Sequence, residues 1–252
     1  FLDGSGSAAE GDASASPSVV DLSTPLDHVH AVVYSEGSLL VGTHTGVVVV
    51  DPVTGAVAAR GASRDDFMGL AGSGGTLVAS GHPGAGSTLP DPVGLLRSLD
   101  AGETWEPVSL TGEIDFHALA IDGDRVAGAA TTGELLYSED AGSTWTPIAS
   151  AEATALTWFD GHLWISDGSA LAKWMPGAAS LAPAGESAAL LIAADAQGER
   201  LWVVQGDGTV VTSADGASWT EAGSVPEAAS MAASADAAYV VTPERVYVVP
   251  AP

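Results

Sequence analysis

Six histidines and no cysteines define the metal and nucleophile chemistry open to this 252-residue chain. Five of the six histidines lie in the first half of the chain: His28, His30, His44, His82 and His117. Without thiols, the chain has no disulfides, thiolate metal sites or cysteine nucleophiles. Imidazole, thioether and carboxylate groups remain as ligands, and this combination favours transition metal ions.

Further candidate ligands lie close to these histidines in the sequence. Asp66 and Met68 lie between His44 and His82, and Asp115 lies two positions before His117. Imidazoles with a thioether suit copper, whereas imidazoles with a carboxylate suit zinc and other borderline divalent ions; a carboxylate can also orient an imidazole from outside the coordination sphere. We therefore predict a metal site, with copper favoured and zinc second, among these residues: His28, His30, His44, Asp66, Met68, His82, Asp115 and His117. The competing hypothesis is that each histidine only caps a strand by bonding a neighbouring carbonyl.

The charge balance is strongly acidic, with 32 Asp and Glu residues against 7 Lys and Arg residues and a formal net charge of -25. Such a surface repels phosphates, so nucleic acids and anionic membrane surfaces are poor partners. It favours a metal ion, a cationic ligand, or a basic or membrane-bound protein. Solubility of a secreted or salt-adapted protein is a second interpretation of the charge. No apolar run approaches the roughly 18 residues of a membrane span.

A repeated motif organises the chain into units. The segment SLDAGETW at 98–105 returns forty residues later as SEDAGSTW at 138–145, and as the shorter SADGASW at 213–219. Short β-branched runs separated by Gly, Asp and Pro turns lie between these motifs, with no helical period. A period near 40 residues with about four strands per unit is typical of a β-propeller. The sequence therefore predicts an all-β, six-bladed β-propeller.

Alignment of the repeats places the candidate ligands within this fold. The innermost strands are predicted to begin near residues 28, 66, 115, 152, 186 and 227. In a propeller, the start of each innermost strand and the turn between the second and third strands lie at one mouth of the central channel. The predicted ligands from blades one to three therefore meet at that mouth, and His162 belongs to the opposite face. The last unit has three strands, so Ser18–Leu22 is predicted to supply the fourth and close the ring.

The start of the chain differs in composition from the rest. Residues 1–17 are mostly Gly, Ser, Ala and acidic residues, which is typical of a flexible tether, and residues 18–252 form the predicted propeller domain. Such a tether is typical of an exported, lipid-anchored bacterial protein that has lost its signal peptide; an engineered linker is the alternative. We therefore expect an extracytoplasmic location, secreted or anchored at the cell surface.

The repeated motif resembles the Asp-box (BNR repeat) of sialidase-like propellers. Over the first three units, segments such as Gly42–Gly46, Asp65–Gly69 and Ser80–Gly84 look like those of exported bacterial propellers that are often labelled glycosyl hydrolases. The resemblance implies a motif at the turn between the third and fourth strands. A wider resemblance, to sortilin-type receptors and the photosystem II assembly factor propeller, implies only the fold. The Asp and Trp of the motif are interpreted as structural, in a tight turn and between blades.

Three functional hypotheses follow. Sialidases clamp an anionic sugar with three arginines, and the six arginines here are not predicted to converge, so sialidase chemistry is not expected. The leading hypothesis is a non-enzymatic extracytoplasmic binding propeller with a copper-favouring site at one channel mouth. The second is an acidic protein-interaction or assembly scaffold with structural histidines. The third is a hydrolase of neutral glycans with Asp66 and Asp115 as its carboxylate pair.

Overall fold

The computed structural model of the protein describes residues 16–252, apart from the side chains at positions 186 and 187. These residues form six four-stranded antiparallel sheets arranged as the blades of a propeller, and none of them lies in a helix. The all-β, six-bladed prediction is confirmed. No helix within the described range is long and apolar enough to cross a membrane. The predicted tether at 1–17 falls outside the described residues, except for its last two positions.

The chain enters the ring through β1 (Ser18–Asp21) and then builds the blades in order. Blade one contains β2 (Ala31–Ser35), β3 (Ser38–Thr43), β4 (Gly46–Val50) and β5 (Val57–Arg60). Blade two contains β6 (Asp66–Ser73), β7 (Thr76–His82), β8 (Leu95–Ser98) and β9 (Glu106–Ser109). Blade three contains β10 (Phe116–Asp122), β11 (Arg125–Ala130), β12 (Glu134–Ser138) and β13 (Thr146–Ser150).

The second half of the ring repeats this pattern. Blade four contains β14 (Ala155–Phe159), β15 (His162–Ser166), β16 (Ala170–Trp174) and β17 (Ala182–Ser187). Blade five contains β18 (Ala189–Ala194), β19 (Leu201–Gln205), β20 (Thr209–Ser213) and β21 (Thr220–Ser224). Blade six contains β22 (Ser230–Ala233), β23 (Ala237–Val241) and β24 (Arg245–Pro250), with β1 as its outer strand.

The ring closes through the pairing of its first and last strands. In the β1–β24 pair, Val19 lies opposite Tyr247 and Val20 opposite Val246. The guanidinium of Arg245 donates a hydrogen bond to Asp21 Oδ1 at 3.0 Å, also across this seam. The structure confirms the predicted closing strand, which ends one residue earlier than expected. Closure gives the last blade its missing edge partner, since an unpaired edge strand invites aggregation.

The hydrophobic core is divided into six clusters, and each cluster lies between two neighbouring blades. Phe67 joins blade two to blade one, and Phe116 joins blade three to blade two; both side chains are fully buried. Burial of a side chain of this size contributes about 1.5–3 kcal/mol. Packing between blades therefore fixes how the innermost strands are oriented around the channel.

The repeated turns at 98–105, 138–145 and 213–219 are closed by their own side chains. Asp140 Oδ1 accepts bonds from the Ser138 hydroxyl and the Thr144 N–H, at 2.8 Å each, and its Oδ2 accepts the Thr144 hydroxyl at 2.7 Å. Equivalent bonds surround Asp100 and Asp215. The turns also fit against the preceding blade, because a Cβ at Gly216 would lie 2.5 Å from the ring of Trp164. The motif is therefore structural.

These bonds make the turns sensitive to acid. The Thr144 N–H and hydroxyl and the Ser138 hydroxyl lower the pKa of Asp140 from 3.8 to about 2. Because folding lowers this pKa, the stabilisation is complete above about pH 5 and is lost progressively as the pH falls through about 2. We expect Asp140→Asn to lower the melting temperature at pH 7 by several degrees and to have a smaller effect at pH 2. The exposed Glu113→Gln is the control, and an equal Asp140→Asn effect at both pH values would contradict this account.

Candidate metal centre

The strands bring the candidate ligands to one mouth of the central channel. His28 and His30 directly precede β2, and His44 lies in the two-residue turn between β3 and β4. In blade two, Asp66 at the start of β6 pairs in register with His82 at the end of β7. Met68 also lies in β6, and blade three contributes Asp115 and His117 at the start of β10.

The imidazoles of blade one form a compact set, which we call the three-histidine group: His28, His30 and His44. One ligand atom from each lies within 4.8 Å of the other two. The ring centroids are 4.5–4.9 Å apart. His30 Nε2 and His44 Nδ1 are separated by 3.2 Å. The group therefore presents several imidazole nitrogens to a common point.

Asp66 faces the same point from blade two. Its Oδ2 accepts a hydrogen bond from His44 Nδ1 at 3.0 Å, and its Oδ1 lies 3.5 Å from His30 Nε2. The Oδ1 atom is buried and accepts no hydrogen bond within the described chain. A buried polar atom without a hydrogen bond costs about 1–3 kcal/mol, and more when the group is charged. A cation bound beside Asp66 would offset this cost.

The electrostatics of His30 suit a metal ligand. Its side chain is only 9% exposed. Burial and then the neighbouring His28 imidazole lower the pKa of His30, and the opposing effect of Asp66 is smaller. The ring is therefore neutral at pH 7. Metal binding requires a deprotonated ring nitrogen, so no proton has to be removed from His30 at that pH before a metal binds.

A second set spans blades two and three, and we call it the two-histidine carboxylate group: His82, Asp115 and His117. Its three ligand atoms also lie within 4.8 Å of one another. Asp115 Oδ2 is 2.9 Å from His117 Nε2 and 3.5 Å from His82 Nε2. The Asp115 side chain is 10% exposed, and its other oxygen, Oδ1, is buried and has no hydrogen-bond partner in the described structure.

The inner strands of blades two and three carry β-bulges that position two of the candidates. The register slips between Phe67 and Gly69 in β6, and between Phe116 and Ala118 in β10. Met68 and His117 are the residues left unpaired. A bulge redirects the extra side chain, which fits the exposure of His117 at the mouth. Met68 is half-buried at the equivalent place, and its role as a ligand stays a prediction.

Sequence reasoning missed Asp91. The Nδ1–H of His82 donates a hydrogen bond to Asp91 Oδ1 at 2.7 Å, and this bond raises the pKa of His82. Asp91 lies in the long connection between β7 and β8, which spans residues 83–94, whereas the corresponding turn of blade one has two residues. A long loop at a channel mouth is a recognised signal of function and could have pointed to Asp91.

The sixth histidine lies away from both groups. His162 begins β15, at the opposite end of the blade, and its Nδ1–H donates a hydrogen bond to the carbonyl of Asp160 at 2.8 Å. Asp160 lines the other mouth of the channel, together with residues such as Tyr34 and Asp195. His162 is therefore a matched control for the five histidines of the candidate metal centre.

No known protein family matches this chain, and no curated protein sequence matches it. The similarity to known proteins is instead structural. A protein of unknown function from Bacteroides thetaiotaomicron superposes with a TM-score of 0.66 at 14% identity, over 91% of this chain and 72% of that one. The structure of YCF48 bound to a D1 peptide superposes with a TM-score of 0.57 at 12% identity, over 94% of this chain and 97% of that one. A chain of a nidogen/laminin complex superposes with a TM-score of 0.62 at 11% identity, over 81% of this chain and 84% of that one. At such low identity these similarities show only the β-propeller fold.

Proposed function

We propose that this chain is a non-enzymatic extracytoplasmic binding propeller whose three-histidine group binds a transition metal ion. Copper is the favoured ion and zinc the second. The observation that carries the proposal is the convergence of His28, His30 and His44, each of which offers a ligand atom within 4.8 Å of the others. The assignment to Asp-box propellers rests on the motif resemblance and on the bonding of the repeated turns. The extracytoplasmic, lipid-anchored location rests on the composition of residues 1–17.

The spacing of the imidazoles supports metal binding. An ion with bonds of about 2.1 Å in tetrahedral geometry holds its ligand atoms roughly 3.4 Å apart. His30 Nε2 and His44 Nδ1, at 3.2 Å, are already close to this spacing, and the ion would take the place of the proton that His44 Nδ1 donates to Asp66. His28 completes the set by a side-chain rotation at the exposed channel mouth. Imidazole ligands without thiolates suit copper and zinc, and copper binds more tightly to a given set of such ligands.

Hydrogen bonding argues against the strand-capping hypothesis. Within the described residues, His162 is the histidine whose ring bonds a backbone carbonyl. The ring nitrogens of His30 and His44 instead face each other and Asp66. The same contacts do not favour the glycan hydrolase hypothesis, because one oxygen of Asp66 and one of Asp115 each contact an imidazole.

Metal analysis tests the proposal directly. The protein is purified without a nickel column, its metal content is measured, and the metal-free protein is titrated with copper and with zinc by calorimetry. We expect copper to bind at micromolar concentration or below. The His162→Ala variant should bind copper as the unaltered protein does, and His44→Ala should lose the tightest copper-binding step. The absence of both copurified metal and a calorimetric signal would refute the proposed function.

A second candidate function is docking of a basic protein, and the formal charge of -25 favours it. YCF48 bound to a D1 peptide and the nidogen/laminin complex are propeller-containing structures with protein partners. Electrostatic docking weakens steeply with ionic strength. Capture of a basic partner that is lost between low and physiological salt, and unaffected by His30→Ala, would support docking over metal binding.

A further inference from the structure

The candidate ligands at the channel mouth fall into two separate groups. All three members of the three-histidine group belong to blade one, whereas the two-histidine carboxylate group joins blade two to blade three. Each group has its own buried carboxylate oxygen without a hydrogen bond, Asp66 Oδ1 beside the first and Asp115 Oδ1 within the second. The structure therefore offers two places where a cation would complete the local bonding.

The geometry of the second group is close to that of a bound ion. Asp115 Oδ2 lies 2.9 Å from His117 Nε2 and 3.5 Å from His82 Nε2. These distances bracket the roughly 3.4 Å expected between ligands of a tetrahedral ion with bonds of about 2.1 Å. The Asp115 side chain is 10% exposed, so its carboxylate is largely removed from water and is held at the base of the group.

A second carboxylate orients this group. Asp91 Oδ1 accepts the Nδ1–H of His82 at 2.7 Å, which directs the opposite nitrogen, Nε2, toward Asp115. Metal-binding histidines typically donate their other ring N–H to a carboxylate in this way, and the bond fixes both the tautomer and the ring orientation. No such carboxylate is needed for a histidine that only covers a strand end.

The two groups differ in chemistry. Three imidazoles suit copper and zinc, and copper binds them more tightly, whereas two imidazoles with a carboxylate form a ligand set typical of zinc sites. The side chains of His82 and His117 are 43% and 46% exposed, so the outer side of the second group is open to solvent. Three protein ligands with one open side match zinc sites that keep a position for water or a small anion.

We propose that the channel mouth binds two ions of different chemistry, with a zinc-type divalent ion held by His82, Asp115 and His117 in addition to copper at the three-histidine group. Asp91 is the residue that orients His82. This inference rests on the proposed function only for the copper site. The zinc site is supported independently by the distances from Asp115 to His82 and His117 and by the burial of Asp115.

Simultaneous loading tests the inference. The metal-free full chain is dialysed anaerobically against Cu(I) and Zn²⁺ together, and bound metals are counted per chain. We expect one copper and one zinc. Asp115→Asn and His117→Ala should lose zinc and keep copper, whereas His30→Ala should lose copper and keep zinc. Asp91→Ala should weaken zinc binding by about 10–100-fold and leave copper unchanged. His162→Ala is the control and should keep both ions.

Each outcome has a distinct meaning. A single bound ion, lost in variants of either group, would show one shared site and overturn the inference while leaving the proposed function intact. Zinc binding unaffected by both Asp115→Asn and His117→Ala would also overturn it. Zinc that binds without copper, and that is lost in Asp115→Asn but kept in His30→Ala, would refute the proposed function and keep the second site. Circular dichroism verifies that each variant is folded; His82→Gln replaces an unfolded variant of the second group, and His44→Gln replaces His30→Ala.

Discussion

Replacement of His30 by alanine is expected to remove most of the rise in melting temperature that copper gives the unaltered protein. A ligand that binds only the folded state stabilises it by about 2.7 kcal/mol at a free concentration 100 times its dissociation constant. For a domain of this size that corresponds to a rise of about 5–11 °C. His30 is the most buried imidazole of the three-histidine group and the one nearest to both His44 and Asp66, so its loss should abolish the site.

The comparison is made by thermal unfolding with and without copper. His162→Ala is the matched control and should show the full rise, since His162 lies at the opposite end of its blade. The melting temperature of His30→Ala without metal should stay close to that of the unaltered protein. A copper-dependent rise of the same size in His30→Ala and His162→Ala would show that the three-histidine group is not the copper site.

Among substitutions of residues adjacent to the candidate metal centre, Phe116→Ala is expected to be the most destabilising. The Phe116 side chain is fully buried between blades two and three, with its ring centroid 5.0 Å from that of Trp145. Its backbone N–H donates a hydrogen bond to Ser80 Oγ at 3.0 Å. Removal of a buried phenyl ring costs about 3–5 kcal/mol. The melting temperature should fall by about 6–20 °C.

Phe116 also lies between two residues of the second group, Asp115 and His117, so its packing holds both in place. We therefore expect Phe116→Ala to weaken zinc binding as well as stability. Val19→Ala is the control, because the Val19 side chain is 54% exposed and its truncation should change stability by about 0.5 kcal/mol or less. A melting temperature within 2–3 °C of the unaltered protein, roughly 1 kcal/mol, would contradict the inter-blade role of Phe116.

Much of the fold could be predicted from the sequence because its signals are local. The repeated turns at 98–105 and 138–145 are closed by bonds within a few residues, so the same letters give the same turn in each copy. The closing role of β1 followed from a count of strands in the last unit. β7 shows the limit, because its extension to His82 depends on pairing in register with Asp66 of β6, which no local signal predicts.

Less of the candidate metal centre could be predicted. Strand periodicity predicted that the ligands share one mouth, but it did not show that they divide into two groups, because that depends on how the blades pack against each other. The path of the long loop decides that Asp91 reaches His82, and no local pattern encodes that path. The bulges at Met68 and His117 depend likewise on pairing with the second strand of each blade.

Anomalous diffraction from a copper-soaked crystal tests the central claim most directly. The account predicts a copper peak at the mouth formed by blades one to three, at a bonding distance of about 2 Å from ring nitrogens of His30 and His44. Copper bound only elsewhere on the protein, with the imidazoles of His28, His30 and His44 unchanged around an empty centre, would contradict it.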